Sequence, residues 1–265
     1  SINDMTYKYL SFHFPVWESI FFRALSGCIV AIILTMYFGF DKLKTRKPIG
    51  HLIRAFSASG CVVFYIYGIN NLMLSENIAI AHSAPIIAAF LAVPILGERI
   101  GILRTSAILI GFIGVIIIVK PGTDLFKLES LYPLISACFM ASVYLSTRSV
   151  MSTDSSVAII FYYSFALLIT TLIFFPSNFI MPNFVQLILA MSLGVMGSFG
   201  HFFMSQAAKN ADVAVTSPFE YSSFIFVGLM GFLIFAEVPT FSIYLGGLII
   251  ISSGIFIAYR ERKNN

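Results

Sequence analysis

Charge is what this chain lacks. Only 11% of its 265 residues are Asp, Glu, Lys or Arg, against roughly a quarter in a soluble domain. So few charges cannot cover a water-soluble globule of this length, so lipid must cover most of the outside. Cysteine is scarce too: Cys28, Cys61 and Cys138 each lie inside an apolar run, where small buried hydrophobes belong. There is no CxxC, HExxH or Cys/His cluster, so neither a metal site nor another cofactor is expected. There is no long basic run, and the net charge of +4 is scattered through short loops, which argues against a nucleic-acid partner. No basic start followed by an apolar core opens the chain, so its beginning does not read as a signal peptide.

What is abundant is apolar. Hydrophobic residues make up 58%, 28 residues are Phe, and the mean hydropathy is +0.93. A spanning helix needs about 20 apolar residues. Spans are expected near 15–38, 49–72, 76–97, 102–119, 130–150, 156–175, 183–206, 214–236 and 239–258, separated by polar breaks such as Asp41 to Pro48, Lys120-Pro121-Gly122 and Ser152 to Ser155. The residues up to His13 hold Asp4 and Lys8 and are too few to span. They read as the trailing half of a first helix whose beginning is absent here, the alternative being a polar tail. The expected fold is all-α: a polytopic ten-helix bundle, its first helix apparently truncated.

Alternate loops differ in basic residues. With the C-terminus cytoplasmic, twelve of the 16 Lys and Arg fall inside, only Lys8, Lys120 and Lys127 fall outside, and Arg23 sits within a span. Two stretches also resemble each other. Ile95-Leu96-Gly97-Glu98 leads into Ala107 to Gly114, and Ile234-Phe235-Ala236-Glu237 leads into Gly246 to Ser253. Setting Glu98 on Glu237 sets Ala107 on Gly246 and Gly114 on Ser253. Ten helices divide into five and five, and an odd unit puts the second copy into the membrane upside down. The expected domains are therefore inverted repeats over 1–122 and 123–265, with Glu98 at the inner face and Glu237 at the outer.

The Pro85, Pro94, Leu96-Gly97-Glu98 ending of the 76–97 span, the Gly-spaced helix after it, Lys120-Pro121-Gly122, and Glu18-x-x-Phe21-Phe22-Arg23 resemble the drug/metabolite transporter superfamily, EamA family. The second half departs from the pattern: Ala236-Glu237 stands where Gly-Glu is usual, and Phe224 and Leu233 stand at the mapped proline positions. The start Ser1-x-Asn3-Asp4-x-x-x-Lys8-Tyr9-Leu10 and the stretch Ala211-Asp212-x-Ala214-x-x-Ser217-Pro218-x-x-Tyr221 are similar to the S-adenosylmethionine uptake carriers of intracellular bacteria within that family. The resemblance implies two five-helix inverted repeats in a bacterial inner membrane and transport of a small organic solute.

Ionisable groups inside a bilayer need a reason. Arg23 reads either as a packing residue on helix carbonyls or as a cavity cation for a carboxylate. Glu18, after Pro15, either caps its helix or faces the solute. Glu220, two residues after Pro218, could pair with Arg23, carry a proton, or meet an amine or sulfonium, with Tyr221 offering a π face. His82 falls on Tyr221 in the repeat alignment; it is either a hydrogen-bonded packing residue or a proton relay. Tyr65 and Tyr163 are candidate cavity walls, with Tyr67, Tyr144, Tyr162, Trp17, Asn70 and Asn71 behind them. His201 is a weaker candidate. Gly194-x-x-Gly197-x-x-Gly200 reads as a close-packing face.

The expected substrate-binding set is Arg23, Glu220, Tyr221, His82, Tyr65, Tyr163 and Glu18, with no catalytic residue. An enzyme is not expected: Ser198 and His201 share a helix face without an orienting acid or oxyanion loop. A channel would show charge rings or a filter loop. The expected function is alternating-access transport of a small polar metabolite, possible substrates ranging from S-adenosylmethionine taken up to amino acids or drugs exported. The partners are that solute and the lipid bilayer, the protein being a monomer or homodimer.

Overall fold

The computed structural model describes the backbone of residues 1–96, 101–175, 179–210 and 213–264, and their side chains except at 95, 96, 104, 148, 208–210, 213–220 and 261–264. Glu98 therefore lies outside the described residues, as does the side chain of Glu220. The described chain is helical throughout: α1 (Ile2–Ser11), α2 (Val16–Phe38), α3 (Pro48–Asn71), α4 (Leu74–Ala81), α5 (Ala84–Leu96), α6 (Ile102–Val119), α7 (Leu131–Met151), α8 (Ser156–Ile173), α9 (Phe184–Asn210), α10 (Val213–Phe235) and α11 (Phe241–Asn264). Helices α4 and α5 are two parts of one rod, which leaves ten rods among the described residues. Seven stretches are long and apolar enough to cross a bilayer, and two shorter apolar helices, Thr105–Val119 and Tyr221–Phe235, join them.

The expected spans match these helices to within a few residues. Two details differ. The 76–97 span is broken at His82–Ser83, one turn before Pro85. Pro85 has no N–H to give the carbonyl of Ala81, so the ladder fails there. Pro218, by contrast, lies within a continuous α10. The first residues are helical, and α1 buries Tyr7 and Leu10 in the core.

The outer surface is apolar, with Ile29, Ile32, Ile33 and Met36 exposed along α2 and Leu109, Ile113 and Ile116 along α6. In water such a surface would aggregate; in a bilayer it is the solvated face. Helix α2 packs between α8 and α9, α3 against α7 and α8, and α6 against α11. The α6–α11 seam is backbone on backbone. A Cβ on Gly114 would come within 2.9 Å of the Gly246 carbonyl, and one on Gly246 within 2.6 Å of the Gly114 carbonyl. Further along the seam, the Ser253 hydroxyl donates to the carbonyl of Ala107.

These contacts pair each repeat position with its partner's mate. Ala107 maps on Gly246 and touches Ser253; Gly114 maps on Ser253 and touches Gly246. Such reciprocal contacts are what a two-fold axis produces, and here it runs between antiparallel helices. His82 and its mapped mate Tyr221 meet each other edge to face, ring centres 5.2 Å apart, so they too lie beside that axis.

Candidate functional site

Arg23 sits two turns into α2, 8% exposed. Its Nη1 donates to the Tyr7 hydroxyl at 3.1 Å and its Nη2 to the Tyr163 hydroxyl at 3.3 Å. The guanidinium carbon also lies 5.8 Å from the centre of the Tyr7 ring. Among the described residues no carboxylate reaches it, and its Nε has no hydrogen-bond partner. A buried cation held, among the described residues, only by neutral hydroxyls is expensive; the Glu220 side chain lies outside those residues.

A small cavity opens on this cation. Its walls are Arg23, Gly27, Tyr163, Ser164, Gly197 and Ser198, with Ala24, Leu167 and Gly194 behind, around a void of about 10 Å³. Ordinary ligand pockets run to about 300–1,000 Å³, so this void has room for a water and not for a solute in this state. Among the described residues the buried Ser164 hydroxyl on its wall has no hydrogen-bond partner. His201 stands edge-on to Tyr163 at 4.5 Å, and among the same residues its Nδ1 has none either. Gly197 makes the room: a Cβ there would lie 2.8 Å from Arg23 Nη2. The glycine face thus does more than pack helices, because one of its members seats the guanidinium.

The other expected site residues divide into three places. His82 and Tyr221 form a second polar pair at the α4–α5 break, and His82 Nε2 is 3.1 Å from the Ser223 hydroxyl. Tyr65 lies on α3, half-buried, where its backbone carbonyl accepts from Asn77 at 3.4 Å. Glu18 is fully buried but does not reach Arg23: its Oε1 accepts the Ile180 N–H at 2.9 Å. Tyr7 is a site residue that sequence reading missed, because it sits in the segment taken as a stub.

Each end of the bundle carries a closure. At the end where α2 begins, Glu18 holds Ile180, and Trp17 stacks on Phe174 at 5.0 Å. Phe21 and Phe22 pack on Phe175 and Phe179 beside them. At the end where α2 finishes, Asp154 gathers the 45–47 loop. It accepts from the Thr45 hydroxyl, from the Arg46 N–H at 3.3 Å, and contacts His51 Nε2 at 2.9 Å. Burial pushes the Asp154 carboxyl up, but hydrogen bonds from Thr45, Thr153, Arg46 and His51 outweigh it and lower it to about 2. Lys47 Nζ donates to the Ser149 carbonyl at 2.8 Å, and Tyr162 donates to the Leu43 carbonyl at 2.9 Å. The first closure joins α2 to residues 174–180, and the second joins the 45–47 loop to the turn after α7.

Glu237 is a fastener. Its Oε1 pairs with Lys8 at 3.3 Å, and its Oε2 accepts the Leu74 N–H at 2.7 Å, capping α4. Lys8 also donates to the carbonyls of Ile69 and Leu72. The glutamate thus ties α1, the α3–α4 junction and the end of α10 together, away from the cavity. Among the described residues no group of His, Cys, Asp and Glu could hold a metal.

Several known proteins are similar to the chain as a whole. The model of the EamA-like transporter family matches residues 1–120 and 128–259. An S-adenosylmethionine uptake transporter of Rickettsia prowazekii is 30% identical, covering 100% of this chain and 90% of its own. A riboflavin transporter of Vibrio cholerae is 30% identical over 85% of this chain and 76% of its own. A pseudopaline exporter of Pseudomonas aeruginosa is 25% identical over 99% and 93%. One solved crystal structure superposes with a TM-score of 0.66 at 15% identity, covering 100% of this chain and 96% of that one, which speaks to fold alone.

Proposed function

The chain belongs to the EamA-like transporter family, and from that premise we propose that it takes up S-adenosylmethionine, or a solute of the same chemistry, by alternating access around Arg23. Transport of a small metabolite by a multi-pass inner-membrane protein is the family's role; the substrate, the residues and the direction are our reading. The carrying observation is the buried guanidinium of Arg23, which has two tyrosine hydroxyls but no carboxylate among the described residues. An amino-acid carboxylate satisfies it in bidentate fashion.

In this reading Tyr163 and Tyr7 hold Arg23 in position. Glu220 meets the amine or sulfonium, an assignment that rests on its place in the sequence two residues after Pro218. Tyr221 and His82 offer ring faces at the repeat axis, and Tyr65 a further wall. Glu18 belongs to a gate, holding the 180 segment shut, not to the solute itself. The inverted repeats are divided as 1–122 and 123–265; the two matched segments and the reciprocal α6–α11 contacts support that division. The basic-residue bias supports a cytoplasmic C-terminus, with the Asp154 closure inside and the Glu18 closure outside. Export is the second reading: Arg23 suits any carboxylate, and an exporter relative matches 99% of the chain.

The test is a substrate screen in proteoliposomes under a proton gradient, with S-adenosylmethionine, amino acids and nucleosides as labelled solutes. Saturable S-adenosylmethionine uptake that Arg23→Ala abolishes supports the reading. Uptake of uncharged nucleosides alone would reject it.

A further inference from the structure

Arg54 is the largest of the fully buried side chains, 2% exposed, and is not among the walls of the Arg23 cavity. It stands on α3, six residues past Pro48. Its one hydrogen bond among the described residues is from Nε to the Thr147 hydroxyl on α7, at 2.8 Å. No carboxylate pairs with it there. The contrast with other cations is sharp: Lys8 has Glu237, Lys127 has Glu76 and Lys44 has Asp41. Asp154 is engaged one turn away, with His51, Thr45 and the Arg46 N–H. Arg23 and Arg54 are thus two buried guanidiniums, each bound among the described residues only to neutral hydroxyls.

Their placement is ordered. Arg23 is seven residues from the start of α2 and Arg54 six from the start of α3, and the two helices begin at opposite ends of the bundle. At about 1.5 Å per residue, each lies about 10 Å in from its own face. Tyr163 stands on α8, which packs against both α2 and α3, the helices that carry the two arginines. Its hydroxyl accepts from Arg23, and His201 stands edge-on to its ring at 4.5 Å.

We propose that Arg54 is a second solute station, and that a carboxylate on the solute passes from Arg23 to Arg54 as the protein changes face. This rests on the reading of Arg23 as a carboxylate site. The transported class is then acidic or zwitterionic: a solute without a carboxylate lacks the group that both stations read. Tyr163 can follow the carboxylate, because its hydroxyl donates to an anion as readily as it accepts from Arg23. The protein need never leave both cations bare.

The test uses the full chain in proteoliposomes with paired probes: S-adenosylmethionine against its decarboxylated analogue, and methionine against methioninamide. Binding is read by thermal shift and transport by uptake. Wild type should prefer the acid of a pair. In Arg54→Gln, binding of the acid should persist at Arg23 while its uptake falls roughly tenfold to a hundredfold, the range expected when one charged hydrogen bond is lost. The preference in uptake should shrink with it, and Arg54→Lys should restore part of both. Wild-type uptake by Arg54→Gln, or equal loss for acid and decarboxylated probes, would make Arg54 a packing residue and overturn the proposal. Binding of methionine over its amide without any response to S-adenosylmethionine would overturn the substrate reading and leave the two stations standing. No preference for an acid in either pair would overturn the stations.

Discussion

Three glycines one turn apart on α9 give the sharpest prediction, because a methyl on each would meet something different: backbone, a guanidinium, or open space. A methyl on Gly194 would fall on the Arg23 carbonyl and the Ser26 hydroxyl, and 2.6 Å from the Gly27 nitrogen. Backbone cannot step aside, so α2 and α9 must part; overpacking of this kind costs about 1–3 kcal/mol. A methyl on Gly197 would sit 2.8 Å from Arg23 Nη2 and 3.0 Å from Cζ. Ordinary contact needs about 3.5 Å, so the guanidinium must retreat by about half an ångström or more. Its bond to Tyr163, already 3.3 Å long, does not survive that. A hydrogen bond to a charged group contributes about 1.5–3 kcal/mol, a loss of roughly tenfold to a hundredfold in solute handling. The fold should suffer little, because Ala favours helix over Gly by about 1 kcal/mol. Gly200 has nothing within 4 Å of its Cβ position. The assay is expression-normalised uptake beside the melting temperature of purified protein. Gly194→Ala should lower the melting temperature, Gly197→Ala should keep it and lose uptake, and Gly200→Ala should change neither for the worse. Wild-type uptake by Gly197→Ala, or identical behaviour of all three, would refute the placement of Arg23.

Other predictions follow from the closures and the cavity. Asp154 has a depressed carboxyl in the fold, about 2 against the usual 3.8. Its stabilisation is therefore complete above the ordinary carboxylate range and lost as pH falls through about 2. That should amount to about 2 kcal/mol between roughly pH 4 and pH 2, and Asp154→Asn should flatten that stretch of the stability curve. Glu237→Gln, which breaks the pairing with Lys8, should destabilise the protein by about 1–3 kcal/mol in a denaturation assay, while the solute affinity of the folded fraction stays unchanged. Arg23→Ala and Glu220→Gln should each abolish uptake while membrane insertion stays near normal; activity in both would remove the cavity assignment. Cysteines at Lys42 and Lys127 should label from opposite membrane faces, and labelling from one face would overturn the topology.

Much of the fold was legible in the sequence because a bilayer leaves few choices. Apolar length sets a span, and polar punctuation ends it, so Val16–Phe38 or Ser156–Ile173 could be read almost to the residue. The repeat alignment remains a reading of the sequence, and the Gly114–Gly246 and His82–Tyr221 contacts agree with it. The site was legible only in part. Arg23 and Tyr163 stood out as polar groups in apolar spans and do meet. Glu18 stood out for the same reason, yet it binds the Ile180 N–H of a distant loop. Which partner a buried carboxylate finds is set by tertiary packing, and no local pattern records it. Tyr7 and Arg54 were overlooked for other reasons: Tyr7 lies in a segment too short to read as a span, and Arg54 counts by sequence among the basic residues of the inner loops. Their burial comes from neighbouring helices, as when α7 places Thr147 against Arg54.

The central claim is a carrier that exposes Arg23 to one face at a time, and counterflow tests it most directly. Proteoliposomes loaded with unlabelled S-adenosylmethionine are diluted into a trace of labelled solute without any ion gradient. The account predicts that label transiently accumulates inside above its equilibrium level, and that Arg23→Ala removes the overshoot. Label that rises only to equilibrium, with the same course in loaded and empty vesicles, would contradict alternating access.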